Sequence, residues 1–248
     1  MRDANFIALA DGWRYHFVTG RFEFDERGGA RPPLVQLQHL LCGALARLIR
    51  WGGWSKESVS VARHTLIVSA FTLARAEVLG WPEEQIDAAV REAAVHDLHE
   101  VLGLGDVLSP VLRWLRPSDG TGDPRLVRLE VESKIAVRQL FDLPEATPEV
   151  VRLVKLADHD AAAVERGYAC ADAPEWLGPR AALASHAFYR HNFNDNQLGP
   201  RLWELVTGGA EAMRREAGGM ASDYLLRHLG FDTAAGRAWL VSLSGVLS

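Results

Sequence analysis

The sequence is poor in cysteine and has no long apolar run. Its 248 residues include only two cysteines, Cys42 and Cys170, which lie far apart and form no Cys-x-x-Cys pair. A disulfide framework is therefore not expected, and two reduced thiols in a cytoplasmic protein are the simpler interpretation. No segment approaches the ~20 consecutive apolar residues that a membrane span requires. We expect no membrane partner.

The first residues do not have the pattern expected of a secretory leader, and the sequence has no excess of basic charge. Its first residues, MRDANFIALADGW, have neither the basic nor the apolar region of a signal peptide, so we expect a cytoplasmic location. The formal net charge is −5 at pH 7, whereas a protein that grips duplex DNA needs a basic stripe. Duplex nucleic acid is therefore not an expected partner. A small anionic ligand stays compatible, because a metal ion and one or two arginines can provide local positive charge.

Apolar residues recur with a spacing near 3.6 over most of the chain, which is typical of amphipathic helices. The segments with this spacing are residues 34–50, 61–79, 83–101, 125–141, 148–166 and several stretches after 179. The composition, with 48% hydrophobic and 24% charged residues, is that of an ordinary globular protein. The sequence therefore predicts an all-α fold.

We divide the predicted fold into a helical core with an extension at each end. Residues 1–33 form an N-terminal extension, in which the alternation of residues 16–22 (HFVTGRF) indicates a small hairpin. Residues 34–168 form the core. Residues 169–248 form a helical C-terminal extension that we expect to pack on the core.

Polar residues interrupt the apolar faces of three predicted helices. His64 lies on the face of one helix, His96 and Asp97 on the next, and Asp158 on a third. An ionised carboxylate is costly to bury alone, so an inward acid is paired, protonated or bound to metal. Two imidazoles and two carboxylates that converge from three helices would neutralise one divalent cation and leave positions for water and substrate.

The residues alone leave a second interpretation open. A single inward histidine is more often a hydrogen-bonded core residue than a metal ligand. A His-Asp dipeptide also carries little information, because the chain has another one at His159-Asp160. The order of the set favours the metal: the pair His96-Asp97 follows His64 by about thirty residues, and Asp158 follows about sixty residues later.

This H…HD…D pattern resembles that of HD-domain phosphohydrolases. The similarity extends over roughly residues 34–168 and is carried by AVHDLHEVL (94–102), Gly105-Asp106, Ser109-Pro110-Val111 and LVKLAD (153–158). It is greatest for the branch that contains bacterial 5′-deoxynucleotidases and phage deoxynucleoside triphosphohydrolases. In that branch the last of these segments lies in a helix that provides the final aspartate.

A second part of the resemblance lies upstream of His64. Arg50-Trp51 precede His64 by fourteen and thirteen residues, which is similar to an Arg-Trp pair that those nucleotidases use around the substrate. The chain departs from its relatives at Arg63, where glutamate is common. It also departs at Trp54, where an uncharacterised HD subfamily that it resembles tends to have histidine.

The resemblance implies an HD-domain helical bundle with extra C-terminal helices and one bound divalent metal ion. The implied ligands are His64, His96, Asp97 and Asp158, and the ion would be Mn²⁺, Co²⁺, Zn²⁺ or Fe²⁺, among which the sequence does not choose. No histidine lies between His99 and His159. The extra histidines of two-metal HD enzymes are therefore missing, and one ion is expected.

The resemblance also implies catalytic roles for two acids. Glu100 would orient or deprotonate the attacking water, whose pKa the ion lowers, or would instead hold a ligand histidine in place. Asp106 would assist the attack or protonate the leaving 5′-oxygen, or would instead cap the following helix.

Four residues are implied at the substrate. Arg50 would bind phosphate through its planar guanidinium, and Trp51 would stack on the base or sugar, with a solvated arginine and an apolar anchor as the alternatives. Lys155 would touch phosphate, or would be a surface lysine. Arg63, which replaces an acid next to the metal, would make the pocket more cationic and accept the tail of a triphosphate.

The implied function is hydrolysis of the 5′-phosphoester of a (deoxy)nucleotide, in deoxynucleotide metabolism. A monophosphate would give nucleoside and phosphate, and a triphosphate would give nucleoside and triphosphate. The alternatives are a non-catalytic nucleotide-binding HD module and an HD hydrolase of another nucleotide class. We also expect a homo-oligomer.

Overall fold

A computed structural model of the chain describes residues 6–25, 30–51, 58–103, 105, 124–169 and 197–216. These parts of the chain are mostly helical, as the apolar spacing predicted, with a small antiparallel sheet at the N-terminal end. The strands are β1 (Phe6–Ala8), β2 (Trp13–His16) and β3 (Arg21–Phe24), and the helices are α1 (Leu34–Leu45), α2 (Val61–Val78), α3 (Glu83–Val95), α4 (Pro124–Leu140), α5 (Pro148–Ala169) and α6 (Leu198–Glu216). None of the described helices is long and apolar enough to cross a bilayer.

The small sheet has the strand order β1-β2-β3. Its β2–β3 pair, in which Tyr15 lies opposite Phe22, confirms the predicted hairpin, and β1 adds a strand that the sequence did not indicate. Trp13 and Tyr15 alternate onto one face and are fully buried. They belong to one continuous cluster of buried side chains that also includes Leu202 and Met213 of α6. The boundaries at residues 33 and 168 stay predictions.

Helix α2 is the central helix, and it packs against α3, α5 and α6. Every residue from Val61 to Ala76 is buried, as expected of a helix that other elements surround. Two of its hydroxyl groups are satisfied locally: Thr65 donates to the Val61 carbonyl at 2.9 Å and Ser69 to the Thr65 carbonyl at 2.8 Å. At the N-terminus of α2, the Ser60 side chain accepts a hydrogen bond from a backbone N–H in the first turn. His64 lies in that turn.

Two predicted helices differ from the structure near the candidate site. The helix expected over residues 83–101 ends at Val95, and a 3₁₀ helix follows over Leu98–Leu102. Asp97 separates the two with φ −106° and ψ 1°, a turn conformation that aspartate tolerates better than most helix formers. The helix expected over residues 34–50 ends at Leu45. The apolar spacing of the sequence continues past both helix ends, so it did not indicate where the helices stop.

One residue of α5 that the spacing predicts to face the core lies on the exposed side of the helix instead. The spacing of Val151, Val154, Asp158 and Ala161 predicts that Val151 lies on the buried stripe, but it is 48% exposed. The neighbouring Val150 is buried instead, and it starts a buried stripe with Leu153, Ala157 and Ala161. Both valines fit an apolar pattern, so the sequence could not distinguish their faces.

Helix α6 packs against α1, α2 and α3, and its backbone is interrupted at Gly209, where φ is 56° and ψ is −136°. Side chains of α3 compensate for the interruption. Asp87 Oδ1 accepts a hydrogen bond from the Ala210 N–H at 3.0 Å, and Arg91 Nη1 donates to the Val206 carbonyl at 2.8 Å. The interruption is therefore part of the α3–α6 interface.

We expect Gly209→Ala to lower the free energy of unfolding by about 1–3 kcal/mol, the usual cost of a strained backbone position. A Cβ at Gly209 would also overlap the Asp87 carboxylate. The measurement is urea denaturation. Gly43→Ala is the matched control, because a Cβ at Gly43 meets nothing within 4 Å and alanine favours a helix. Equal stability of the two variants would contradict the prediction.

Candidate metal centre

Three helices bring a cluster of potential metal ligands together. His64 from the first turn of α2, His96 from the end of α3 and Asp158 from α5 each offer one ligand atom, and these atoms lie within 4.8 Å of one another. His64 Nε2 is 3.0 Å from Asp158 Oδ1. Such distances are compatible with ligand bonds of ~2.0–2.2 Å to one central ion. The group is therefore close enough to hold a metal ion.

The fourth predicted ligand, Asp97, lies next to this group. Its Oδ2 atom is 3.1 Å from His96 Nε2 and 3.6 Å from His64 Nε2. The exposed fractions of the side chains are 0% for His64, 12% for His96, 17% for Asp97 and 35% for Asp158. The cluster is thus buried on the α2 side and open to solvent at Asp158, where an ion or a substrate could enter.

The two imidazoles fit metal binding through their Nε2 atoms. His96 Nδ1 lies 2.6 Å from the Ala93 carbonyl, which only accepts hydrogen bonds, so this nitrogen carries a proton. His96 Nε2 is buried and makes no hydrogen bond within the described part of the chain, and its 3.1 Å approach to Asp97 is an ionic contact. His64 Nδ1 lies 2.7 Å from the Glu165 carboxylate. Metal-binding histidines are typically held in this way.

The electrostatics of the cluster favour positive charge between the ligands. Burial opposes ionisation of Asp97, but His96, His64 and Arg50 hold the pKa of Asp97 well below its ordinary value. Burial and Arg50 oppose protonation of His64, yet Glu165 and Asp158 outweigh them and raise the pKa of His64 to about 10. A divalent cation bound among these groups would satisfy the same attraction.

Glu165 is a site residue that the sequence analysis missed. Its side chain is fully buried; Oε1 lies 2.7 Å from His64 Nδ1, and Oε2 accepts a hydrogen bond from Arg50 Nε at 3.0 Å. A signal was present, because Glu165 continues the spacing of Val154, Asp158 and Ala161 along α5. A buried acid at the end of an apolar stripe indicates a partner elsewhere in the fold.

Arg50 lies beside the cluster, although it belongs to no helix. Its Nη1 atom is 3.7 Å from Asp97 Oδ2, and its side chain is 11% exposed. An isolated bridge between Ile49 and Ser60 fixes the backbone here, with the Arg50 N–H donating to the Val59 carbonyl at 2.8 Å. The alternative of a solvated arginine at a helix end is therefore wrong.

Trp51 follows Arg50 in a left-handed backbone conformation, with φ 60°. This conformation costs a non-glycine residue ~1–2 kcal/mol. The indole ring is half-buried, and its centroid lies 5.5 Å from the Arg50 guanidinium carbon, within the range of a cation–π contact. Strained backbone of this kind is concentrated at functional sites.

The structure describes three of the four remaining predicted residues. Glu100 is half-buried in the 3₁₀ helix, and its N–H donates to the Asp97 carbonyl at 3.0 Å. Arg63 is 9% exposed and precedes His64 directly. Lys155 is exposed on α5, one turn before Asp158 and on the same side of the helix. Asp106 lies outside the described residues.

Comparison of the chain with protein-family models gave no matching family, and a search of curated proteins gave no match. The cluster itself, with its charges and neighbours, is therefore the basis for a functional proposal.

Proposed function

We propose that the protein is a metal-dependent phosphohydrolase of the HD-domain type that cleaves the 5′-phosphoester of (deoxy)nucleotides. One observation carries the proposal: the residues of the H…HD…D pattern, 94 residues apart from first to last, form one cluster with a buried arginine beside it. A histidine that merely fills a core does not require two carboxylates and a guanidinium around it.

In this proposal one divalent ion, Mn²⁺, Co²⁺, Zn²⁺ or Fe²⁺, is held by His64, His96, Asp97 and Asp158. Two neutral imidazoles and two carboxylates balance the charge of such an ion, and their mixture of nitrogen and oxygen atoms suits first-row transition metals. When bound, the ion supplies a Lewis acid that polarises a phosphoryl group.

The chain's own residues have separate tasks in the reaction. Arg50 binds the phosphate; its Nε atom is held by Glu165 and its Nη1 atom is near Asp97, so the guanidinium lies at the edge of the cluster. Glu100 takes a proton from the attacking water. Asp106 assists the attack or protonates the leaving 5′-oxygen.

We expect Trp51→Ala to weaken substrate binding by ~1–3 kcal/mol, the usual contribution of stacking between a base and an aromatic ring. The half-buried, strained position of Trp51 next to Arg50 supports a contact with the base or sugar. The measurement is KM for the best nucleotide substrate, with Trp51→Phe as the control that keeps a ring. An unchanged KM with a lower melting temperature would make Trp51 an apolar anchor only.

We also propose that triphosphates are accepted, alongside or instead of monophosphates, with the whole triphosphate leaving as one unit. The tail adds about three negative charges and needs cations other than Arg50. Arg63, next to His64, and Lys155, one turn from Asp158, are two candidates. Arg21 is a third candidate, on β3.

One experiment tests both the reaction and the substrate class. The metal-stripped protein is reloaded with Mn²⁺, Co²⁺, Zn²⁺ or Fe²⁺ and incubated with nucleoside mono- and triphosphates, and the products are resolved by anion-exchange chromatography. From a nucleoside triphosphate, the expected products are the nucleoside and tripolyphosphate. Turnover of monophosphates alone would refute triphosphate cleavage. Retention of metal with no turnover of any nucleotide would favour a non-catalytic binding module.

A further inference from the structure

The Glu165 carboxylate contacts two side chains to which the proposed function gives different tasks. Its Oε1 atom lies 2.7 Å from Nδ1 of His64, a metal ligand, and its Oε2 atom accepts from Nε of Arg50, the phosphate-binding residue. Glu165 is on α5, whereas both of its partners belong to the segment that leads into and begins α2. One buried carboxylate therefore joins the two parts of the site.

The contact with His64 determines which nitrogen faces the cluster. An ionised carboxylate only accepts hydrogen bonds, so Nδ1 of His64 is the donor. The other nitrogen, Nε2, is then directed at Asp158 Oδ1, 3.0 Å away, and at Asp97 Oδ2, 3.6 Å away. Glu165 thus selects the tautomer and ring orientation that a metal ion needs.

The contact with Arg50 fixes the plane of the guanidinium. With Nε held at 3.0 Å by Glu165, the Nη1 atom lies 3.7 Å from Asp97 Oδ2. A guanidinium that is fixed at Nε presents its outer edge in one direction only, and a bidentate phosphate contact depends on that direction.

Attachment of α5 to α2 is already provided elsewhere. Arg75 of α2 and Asp160 of α5 form a buried ion pair, and apolar side chains such as Leu153 and Ala157 are packed into the same core. A buried ion pair is also a weak source of net stability compared with apolar packing. Holding the helices together does not by itself account for an acid at position 165.

We propose that Glu165 is a positioning residue, which sets His64 for metal binding and Arg50 for phosphate binding through the two oxygens of one carboxylate. The phosphate half of this inference rests on the proposed function. The metal half rests only on the cluster. Binding of metal and binding of phosphate are consequently linked through Glu165.

The first test uses Mn²⁺ alone and the full-length chain. Glu165→Gln keeps the shape of the side chain, but its amide oxygen can accept from only one of His64 and Arg50. We expect its Mn²⁺ affinity, measured by calorimetry, to fall by ~10–100-fold, as for other residues that hold a ligand histidine. The visible absorption spectrum of the Co²⁺-loaded variant should also differ from that of the wild type.

Asp160→Asn is the matched control, because it breaks a buried ion pair between the same two helices. Its partner Arg75 lies three turns after His64 on α2, about 16 Å along the helix axis. We expect a lower melting temperature for this control, with Mn²⁺ affinity within about twofold of the wild type.

If Glu165→Gln does not fold, Glu165→Asp replaces it as the test variant. Aspartate keeps the charge but withdraws the carboxylate by one methylene. We expect a smaller loss of Mn²⁺ affinity for this variant.

The second test measures inorganic phosphate binding to the Mn²⁺-loaded protein. If Glu165 positions Arg50, the losses caused by Arg50→Lys and Glu165→Gln are not additive in a double-mutant cycle. Unchanged Mn²⁺ affinity and an unchanged Co²⁺ spectrum in Glu165→Gln, with only a lower melting temperature, would overturn the proposal. Normal Mn²⁺ binding by the wild type without nucleotide turnover would refute the proposed function instead, and would leave the metal half of the inference standing.

Discussion

Asp97→Ala is expected to abolish nucleotide hydrolysis and metal retention together. The Asp97 Oδ2 atom lies 3.1 Å from His96 Nε2, 3.6 Å from His64 Nε2 and 3.7 Å from Arg50 Nη1. It is therefore the carboxylate oxygen that the two imidazoles and the guanidinium share. Without it, the cluster loses one of two negative charges that balance a divalent ion, and a site with one charge fewer binds such an ion much more weakly.

The measurements for this prediction are the metal content after gel filtration and kcat/KM with the best nucleotide. Glu145→Gln removes an exposed acid and should retain both properties. Wild-type protein stripped with a chelator should also be inactive, but Mn²⁺ should restore its activity and should not restore that of Asp97→Ala. Full activity in Asp97→Ala would exclude Asp97 as a metal ligand.

The part of the site that could be predicted from the sequence is the part that local periodicity encodes. His64 and Asp158 interrupt apolar stripes whose spacing follows from 3.6 residues per turn, and both side chains lie in the cluster. The mostly helical fold follows from the same periodicity. The small hairpin was visible too, because alternation around a glycine is also a local signal.

Contacts between distant residues and short irregular segments could not be predicted. The bonds of Glu165 to Arg50 and His64 join residues that are 115 and 101 positions apart, and no pattern within α5 reveals such partners. The turn at Asp97 interrupts a segment whose apolar spacing continues, so the sequence predicted an unbroken helix. Strand β1 has only three residues, which is too short for an alternating pattern to be recognised.

The burial of Arg50 leads to a large expected effect on stability. Arg50 is 11% exposed and Glu165 is fully buried. Although burial opposes its ionisation, His64 and Arg50 hold the pKa of Glu165 below its ordinary value. Arg50→Ala would therefore leave an ionised, buried carboxylate with His64 as its remaining described partner, and would also remove the guanidinium that lies 3.7 Å from Asp97.

We expect Arg50→Ala to lower the free energy of unfolding by about 3–5 kcal/mol, the usual cost of removing one partner of a buried ion pair. Urea denaturation at neutral pH is the measurement. Arg47→Ala is the matched control: Arg47 lies three residues earlier and is exposed, so its loss should change stability by no more than about 0.5 kcal/mol. Arg50→Lys should fall between the two, because an ammonium group keeps the charge but lacks the planar fork. Equal stability of Arg50→Ala and Arg47→Ala would mean that the contact with Glu165 does not form in solution, and the arginine would then have to reach phosphate without it.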